Sequence, residues 1–251
     1  MARSHLLNTP IDALTEAEVV DRVDKAIEAG EAIRIGVVNA AKIVAMQRDK
    51  LLYDDVTSSD LVLADGMSVV WASRILGEPL PERVAGIDLM FRFFELADKK
   101  GLRVYCLGAT EEISKTIEAN LKRDYPGLVL AGRRNGYFDD SEAEGIARDI
   151  AASRPHFLLV AMTTPRKENF MGRFADILDV PVIHGVGGSF DVYAGKVERA
   201  PESWQRLGLE WLYRVKQEPR RLWKRYAVTN VKFMWMVLKS LIGIRSRTAA
   251  D

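Results

Sequence analysis

An α/β fold, a mainly parallel sheet with helices on both faces, is predicted by three features of the chain. Short continuous apolar runs recur along it: IRIGVV (33–38), LVLA (61–64), RVYCLG (103–108), LVLA (128–131), FLLVAM (157–162) and PVIHGV (181–186). Longer segments of helical periodicity separate them, giving a strand–helix–strand rhythm. The runs are nearly continuously apolar rather than alternating, so each strand must be covered on both sides, which crossover helices do for a parallel sheet.

The first helix opens near Thr15, where Thr15 and Glu18 have the capping-box spacing. Val19, Val20, Val23 and Ile27 supply its apolar stripe, and Gly30 is its natural stop. Helical patterns then follow the strands: AAKIVAMQRD after the first, MSVVWASRILG after the second, and further helices opening near Thr110 and Ser141. No repeat or Pro/Gly/Ser-rich linker interrupts residues 1–195, which read as one catalytic core. At Gly195 the rhythm changes. Residues 196–251 are dense in Arg, Lys and Trp, with helical patterns through LGLEWLYRVKQE and RRLWKRYAVTNVKFMWMVLKSLIGI. Pro219 separates the two and suits the first turn of the second. This segment reads as a basic, amphipathic C-terminal appendage.

Composition narrows the function classes. Of 251 residues, 48% are hydrophobic and 28% charged, as in an ordinary globular protein. A net charge of +1 creates no general attraction for nucleic acid, and no nucleic-acid motif is present, so no such partner is expected. The single cysteine, Cys106, excludes an internal disulfide, and His5, His156 and His184 are too scattered for a metal-ligand pattern. No cofactor or protein-held metal is expected; a divalent ion held partly by a diphosphate stays open. The stretch MARSHLLNTPIDALTEAE lacks a long apolar region, which argues against a signal peptide and for a cytoplasmic setting.

Ligands of open α/β sheets sit beyond the carboxyl ends of the strands, so the residues after each apolar run are the first candidates. Asp65 is the candidate general base, with Gly66 allowing close substrate approach. An Asp before a helix is also commonly an N-cap, and both readings stand. Asn39 has the same two readings. Gly187 and Gly188 can offer backbone N–H groups to a diphosphate and Asp191 can accept from a ribose or base, although paired glycines are more often a tight turn. Lys167 and Glu168 follow Pro165 at a helix start, where an exposed charged turn is the default.

In the appendage, Arg214, Arg220, Arg221, Lys224 and Arg225 cluster near Trp211, Tyr213, Trp223 and Tyr226. Beyond them Arg225, Lys232, Lys239 and Gly243 share one narrow helical face, with apolar residues over the rest. Two lysines and a modest length argue against a membrane span. An interfacial helix binding an anionic membrane surface through residues 220–245 fits, as does a helix packed on its own core or on a subunit partner.

Together these motifs resemble the WecG/TagA/CpsF family of bacterial glycosyltransferases, from about Asn39 to Tyr226. The resemblance is carried by VVNAAKIV, LVLADGMSVVWASRILGEPLPERVAGIDLM, RVYCLGA, NGYF (135–138), TPRKE, and HGVGGSFDVYAGKVERAPESWQRLGLEWLYRVKQEPRRLWKRY. It implies a Rossmann-like core that transfers a sugar, with inversion, from a UDP-sugar donor to a sugar on undecaprenyl diphosphate during cell-surface polysaccharide synthesis. It further implies Asp65 as catalytic base, and Asn39, Gly66, Arg83, Gly86, Lys167 and Glu168 among substrate-binding residues. Gly187, Gly188 and Asp191 would line the nucleotide pocket, and Arg214 and Arg221 would close over the diphosphate. The expected protein is peripheral on the inner face of the plasma membrane. Self-association stays open, because the appendage can fold over a neighbouring subunit's site.

Two positions depart from the family pattern. Pro165-Arg166-Lys167-Glu168 stands where relatives commonly show Pro-Lys-Gln-Glu, and Val37 stands where many have Thr. Both leave the donor sugar open. Two other functions compete: a nicotinamide-dependent oxidoreductase, against which the absent G-x-G-x-x-G motif counts, and a non-catalytic membrane-docked scaffold of polysaccharide assembly.

Overall fold

The computed structural model describes residues 3–243. The chain enters through an antiparallel hairpin, β1 (Arg3–Leu6) and β2 (Thr9–Asp12), turned by Leu7 and Asn8 at φ 51° and 62°. Helix α1 (Glu16–Ala29) follows, its Thr15/Glu18 capping box formed and its end closed by Gly30 at φ 69°. Strand β3 (Ile33–Val38), α2 (Ala40–Met46), α3 (Lys50–Thr57), β4 (Leu61–Ala64), α4 (Met67–Ile75) and α5 (Gly86–Lys100) make the first half of the core. The second half is β5 (Arg103–Gly108), α6 (Glu111–Asp124), β6 (Val129–Arg134), α7 (Ala143–Ala152), β7 (Phe157–Ala161), α8 (Arg166–Arg173), α9 (Ala175–Leu178), β8 (Val182–Gly185) and α10 (Ser189–Tyr193). The tail consists of α11 (Glu202–Arg206), α12 (Glu210–Gln217) and α13 (Pro219–Leu241), with Pro219 in the first turn of the last helix.

The six core strands form one parallel sheet in the order β4-β3-β8-β7-β5-β6. Alternate residues of each strand enter opposite layers. Leu61, Leu63, Phe157 and Leu159 pack with Phe93, Phe94, Ile113 and Ile117 from α5 and α6 on one face. On the other face Val62 and Ala64 pack with α2, α3 and α4, while Leu158 and Val160 pack with α7 and α8. Each large buried side chain contributes roughly 1.5–3 kcal/mol, so covering both faces explains why these runs are apolar at nearly every position, Arg34, Arg103 and His184 being the exceptions.

Several elements differ from the sequence expectation. The helix in AAKIVAMQRD stops at Met46, and Asp49 caps a new one over Lys50–Thr57 by accepting from Leu52 N–H at 3.0 Å. The fourth strand sits at Val129–Arg134, later than LVLA, because its register is set by pairing with β5 along a half-exposed edge. The N-terminal hairpin and α5 are additional. The hairpin docks on β4 through Asp12, whose carboxylate accepts from Val62 N–H at 2.8 Å and pairs with Arg3. Helix α13 is not free of the core. Phe233, Met236 and Val237 are buried in the cluster that contains α2 and α4.

Candidate active site

All carboxyl ends of the sheet open into one cleft of about 2200 Å3, roughly twice the upper range for a single small-ligand pocket. It is lined by Asn39, Asp65, Gly66, Arg83, Gly86, Lys167, Gly187, Gly188 and Asp191 from the core, and by Arg214 and residues of α13 from the tail. The sheet register brings these ends level: Val38 pairs with Ala64 and Val160 with Gly185.

Asp65 is the first residue beyond β4, and its N–H donates to Val38 O at 2.9 Å, extending the sheet by one bond. It is not the cap of α4. That position is Gly66, which makes no side-chain cap bond. Instead Gly86 N–H, in the first turn of α5, donates to Asp65 Oδ1 at 2.9 Å, and no described group bonds Oδ2. One oxygen is therefore fixed by the backbone while the other stays available to a ligand in the cleft. Beneath Gly86, the buried His184 makes a 3.0 Å contact from Nε2 to Gly86 O, and burial lowers its pKa to about 4. A neutral imidazole donating to Gly86 O thus holds the residue whose N–H orients Asp65.

Asn39 does cap: its Oδ1 accepts from Lys42 N–H at 3.0 Å. Its amide group still lines the cleft beside Gly66, where an added Cβ would lie 3.2 Å from Asn39 Cβ. The Gly187–Gly188 turn offers less than two free donors. Val186 and Gly187 N–H both point to Val160 O, at 2.9 and 3.3 Å, leaving Gly188 N–H without a described acceptor. The φ of +55° at Gly187 is one that L side chains rarely adopt. The Asp191 carboxylate has no described hydrogen-bond partner and borders the cleft, whereas its backbone carbonyl is bonded to Lys196 and Val197 N–H.

Lys167 and Glu168 are not an exposed turn. Both are buried, because α8 begins under the end of β8 rather than at the surface. Glu168 lies behind the cleft wall. Its Oε1 receives Lys42 Nζ at 2.7 Å and Lys167 Nζ at 3.3 Å. Burial opposes its ionisation, yet the two ammonium groups hold its pKa below the ordinary carboxylate range. Lys42 also donates to Val37 O at 2.5 Å. Burial, then Lys42, lowers Lys167 to about 8. Lys42 was missed in the sequence, where a lysine in the first turn of a helix reads as solvent-facing. Its signal was the i, i+4 spacing to Met46, which is fully buried on the same face.

The tail reaches the cleft along three attachments. Arg83 Nη1 donates to Glu210 Oε2 at 2.7 Å, and Arg83 also contacts Asp88 at 3.5 Å, with Arg199 on the other Asp88 oxygen at 2.6 Å. Arg83 therefore bridges core and tail, and its charge is shared with two carboxylates before any ligand arrives. Gly208, at φ +65°, presses on α4 so closely that a Cβ would meet Met67 and the Trp71 ring at 2.8 Å. Helix α13 lies on α2. Arg214 borders the cleft with only a 3.7 Å contact to Glu210. The backbone of Arg221 is in the first turn of α13, but its side chain lies outside the described residues, as do positions 244–245 of the expected membrane segment. Among the described residues no His/Cys/Asp/Glu group is arranged to hold a metal ion, and no helix is long and apolar enough to cross a membrane.

The family model described as Glycosyl transferase WecG/TagA/CpsF family matches residues 4–247. The chain is 41% identical over 197 residues to an N-acetylglucosaminyldiphosphoundecaprenol N-acetyl-beta-D-mannosaminyltransferase of Bacillus spizizenii, covering 78% of this chain and 74% of that protein. It is 35% identical over 204 residues to the protein of the same name from Bacillus subtilis, covering 79% and 78% respectively. With a parallel sheet whose strand ends share one cleft, and with the match spanning nearly its whole length, the chain belongs to the WecG/TagA/CpsF family and is a glycosyltransferase.

Proposed function

We propose that this enzyme transfers a sugar, with inversion, from a UDP-activated donor to a sugar carried on undecaprenyl diphosphate in cell-surface polysaccharide synthesis. The observation that carries the reading is Asp65: one carboxylate oxygen is held by Gly86 N–H, and no described group bonds the other at the floor of a cleft roomy enough for two substrates. Inversion is a single displacement. Asp65 takes the proton of the acceptor hydroxyl as that oxygen attacks the anomeric carbon, and the nucleotide diphosphate departs from the opposite side. Gly188 N–H and the loosely paired Arg214 stabilise the charge of the leaving diphosphate, a role that Arg221 shares. Asn39 holds a sugar hydroxyl, and Asp191 accepts from the nucleoside. The chemistry is carried without a protein-held metal or redox cofactor.

The acceptor's lipid tail confines it to a membrane, and the exposed side of α13 suits that surface. Val231, Met234, Trp235, Leu238 and Leu241 face solvent there, flanked by Lys232 and Lys239, while the opposite side of the same helix is packed on the core. The enzyme accordingly works as a peripheral protein on the inner face of the plasma membrane.

The test uses full-length protein with a panel of UDP-sugars and a short-chain polyprenyl-diphosphoryl-N-acetylglucosamine, read by mass spectrometry of the product. Asp65→Asn is expected to lower turnover by about 100- to 10,000-fold while UDP still binds. Unchanged turnover would remove Asp65 from the mechanism. Equal binding to anionic vesicles by a chain ending at Glu218 would remove α13 from the membrane.

A further inference from the structure

One face of α4 runs along the cleft and carries side chains that the transfer chemistry above does not use. Ser68, Trp71 and Ile75 border the cleft at helical spacing, so they form one stripe leading away from Asp65. Neither the Ser68 hydroxyl nor the Trp71 indole N–H bonds a described group. Trp71 is 43% exposed, and a lone exposed apolar side chain is ordinary. What sets this one apart is that its ring is pinned. At Gly208, where φ is +65°, an added Cβ would lie 2.8 Å from both Met67 Cβ and Trp71 Cη2. The ring tip is therefore beside Met67, folded back over the first turn of α4 as helical side chains are, and Met67 is only two positions after Asp65. The indole is held at its tip by the tail and borders the cleft over the helix start that follows the candidate base.

We infer that Trp71 is the platform on which the acceptor's sugar ring stacks, with Ser68 Oγ bonding one of that ring's hydroxyls. The inference rests on the transferase reading and assigns a place to the second substrate of that reaction. In a displacement with inversion, the attacking hydroxyl and the departing diphosphate stand on opposite sides of the anomeric carbon. The nucleotide end belongs with Gly188 and Asp191, beyond β8. Strand β3 lies between β8 and β4, so about 10 Å of sheet separates that end from Asp65. Strand β4 is the edge of the sheet, and the acceptor therefore comes in from this edge, where α4 stands. Position also decides between the acceptor's sugar and its lipid. A whole pyranose and a diphosphate separate the reacting hydroxyl from the first isoprene unit, whereas the indole tip lies over the turn next to Asp65. A pyranose has one face of C–H groups and a rim of hydroxyls, which a fixed indole with a free hydroxyl one turn away matches.

The experiment uses the full chain as wild type, Trp71→Leu and Trp71→Phe. Calorimetry with UDP present measures the affinity of short-chain polyprenyl-diphosphoryl-N-acetylglucosamine and of the same polyprenyl diphosphate without its sugar, and a separate titration measures UDP. Leucine keeps apolar bulk against Gly208 but has no flat ring. Trp71→Leu is expected to weaken the sugar-bearing lipid by roughly 10-fold and raise its KM to match, while UDP and the sugarless lipid stay within about twofold of wild type. Trp71→Phe, with a smaller aromatic face, should lose only roughly 3-fold. Wild-type affinity for the sugar-bearing lipid in Trp71→Leu would overturn the inference. So would equal weakening of both lipids, which assigns the ring to the isoprenoid, or a loss confined to UDP, which assigns it to the donor. Binding needs no turnover, so the platform is decided even if wild type transfers no sugar to this lipid, a result that would sink the transferase reading instead.

Discussion

The two walls of the cleft bring cations to the same space by opposite means. On the core side, Lys42, Lys167 and Glu168 are buried, share contacts of 2.7 and 3.3 Å, and are clamped by β8. On the tail side, Arg214 is 39% exposed, touches Glu210 at 3.7 Å, and rides on helices held by a few anchors. A charge in the first setting acts strongly and over a fixed geometry, because little water screens it. A charge in the second is screened and adjustable. The floor can therefore discriminate between ligands, while the tail wall can close over whichever diphosphate arrives.

The comparison breaks first at Glu168. Glu168→Gln leaves two buried ammonium groups without their shared anion and should cost about 3–5 kcal/mol in urea unfolding; a loss below 1 kcal/mol would mean the floor is more hydrated than its burial implies. Phe233→Ala tests whether the tail wall is anchored by packing, and about 3 kcal/mol is expected from a large side chain buried beside α2. If unfolding is unchanged, α13 is held by something other than this contact.

A pH series sharpens the contrast. Lys167 has a folded-state pKa of about 8, below its ordinary 10.5, with burial the main cause. Between those values the unfolded chain binds more protons than the folded one, so stability rises with pH across the window; below about pH 8 both states are charged and the slope vanishes. Comparing wild type with Lys167→Met by urea unfolding from pH 7.5 to 10 should show a wild-type gain of about 1–2 kcal/mol that the variant lacks. Parallel curves would indicate that the ammonium is solvated. The smallest effect belongs to Arg214→Gln, which should change stability by under about 0.5 kcal/mol yet lower kcat/KM by about tenfold at low salt, a deficit that narrows as salt is raised. A salt-independent deficit would place Arg214 with the floor rather than the wall.

Most of the sheet was legible because a buried parallel strand is apolar at nearly every position, a local pattern that needs no knowledge of neighbours. IRIGVV, LVLA (61–64) and RVYCLG fall on strands residue for residue. The hairpin escaped because its turn is Leu7-Asn8 rather than a Gly-containing pair, and Pro10 interrupts its second strand. In the cleft, Asp65 and the glycine turn were found because strand ends mark the place. What local sequence could not give was the direction of bonds across the fold: that Asp65 is held by a residue 21 positions later, that Arg83 is spent on Glu210, or that Lys167 lies under Gly185. Each depends on two segments meeting, and burial of a charged turn leaves no periodic trace.

Strand β8 is the last of the core strands along the chain and lies at the middle of the sheet, between β3 and β7. On a ribosome this means that the β3–β4 pair and the β5–β6–β7 group emerge as separate pieces, each with an unsatisfied inner edge, and join only when Val182–Gly185 slots between them. Such late, long-range closure is slow, and it leaves sticky edges waiting during elongation. Overproduction in a host short of chaperones should therefore yield inclusion bodies before it yields inactive soluble enzyme, and slowing translation should recover the active form.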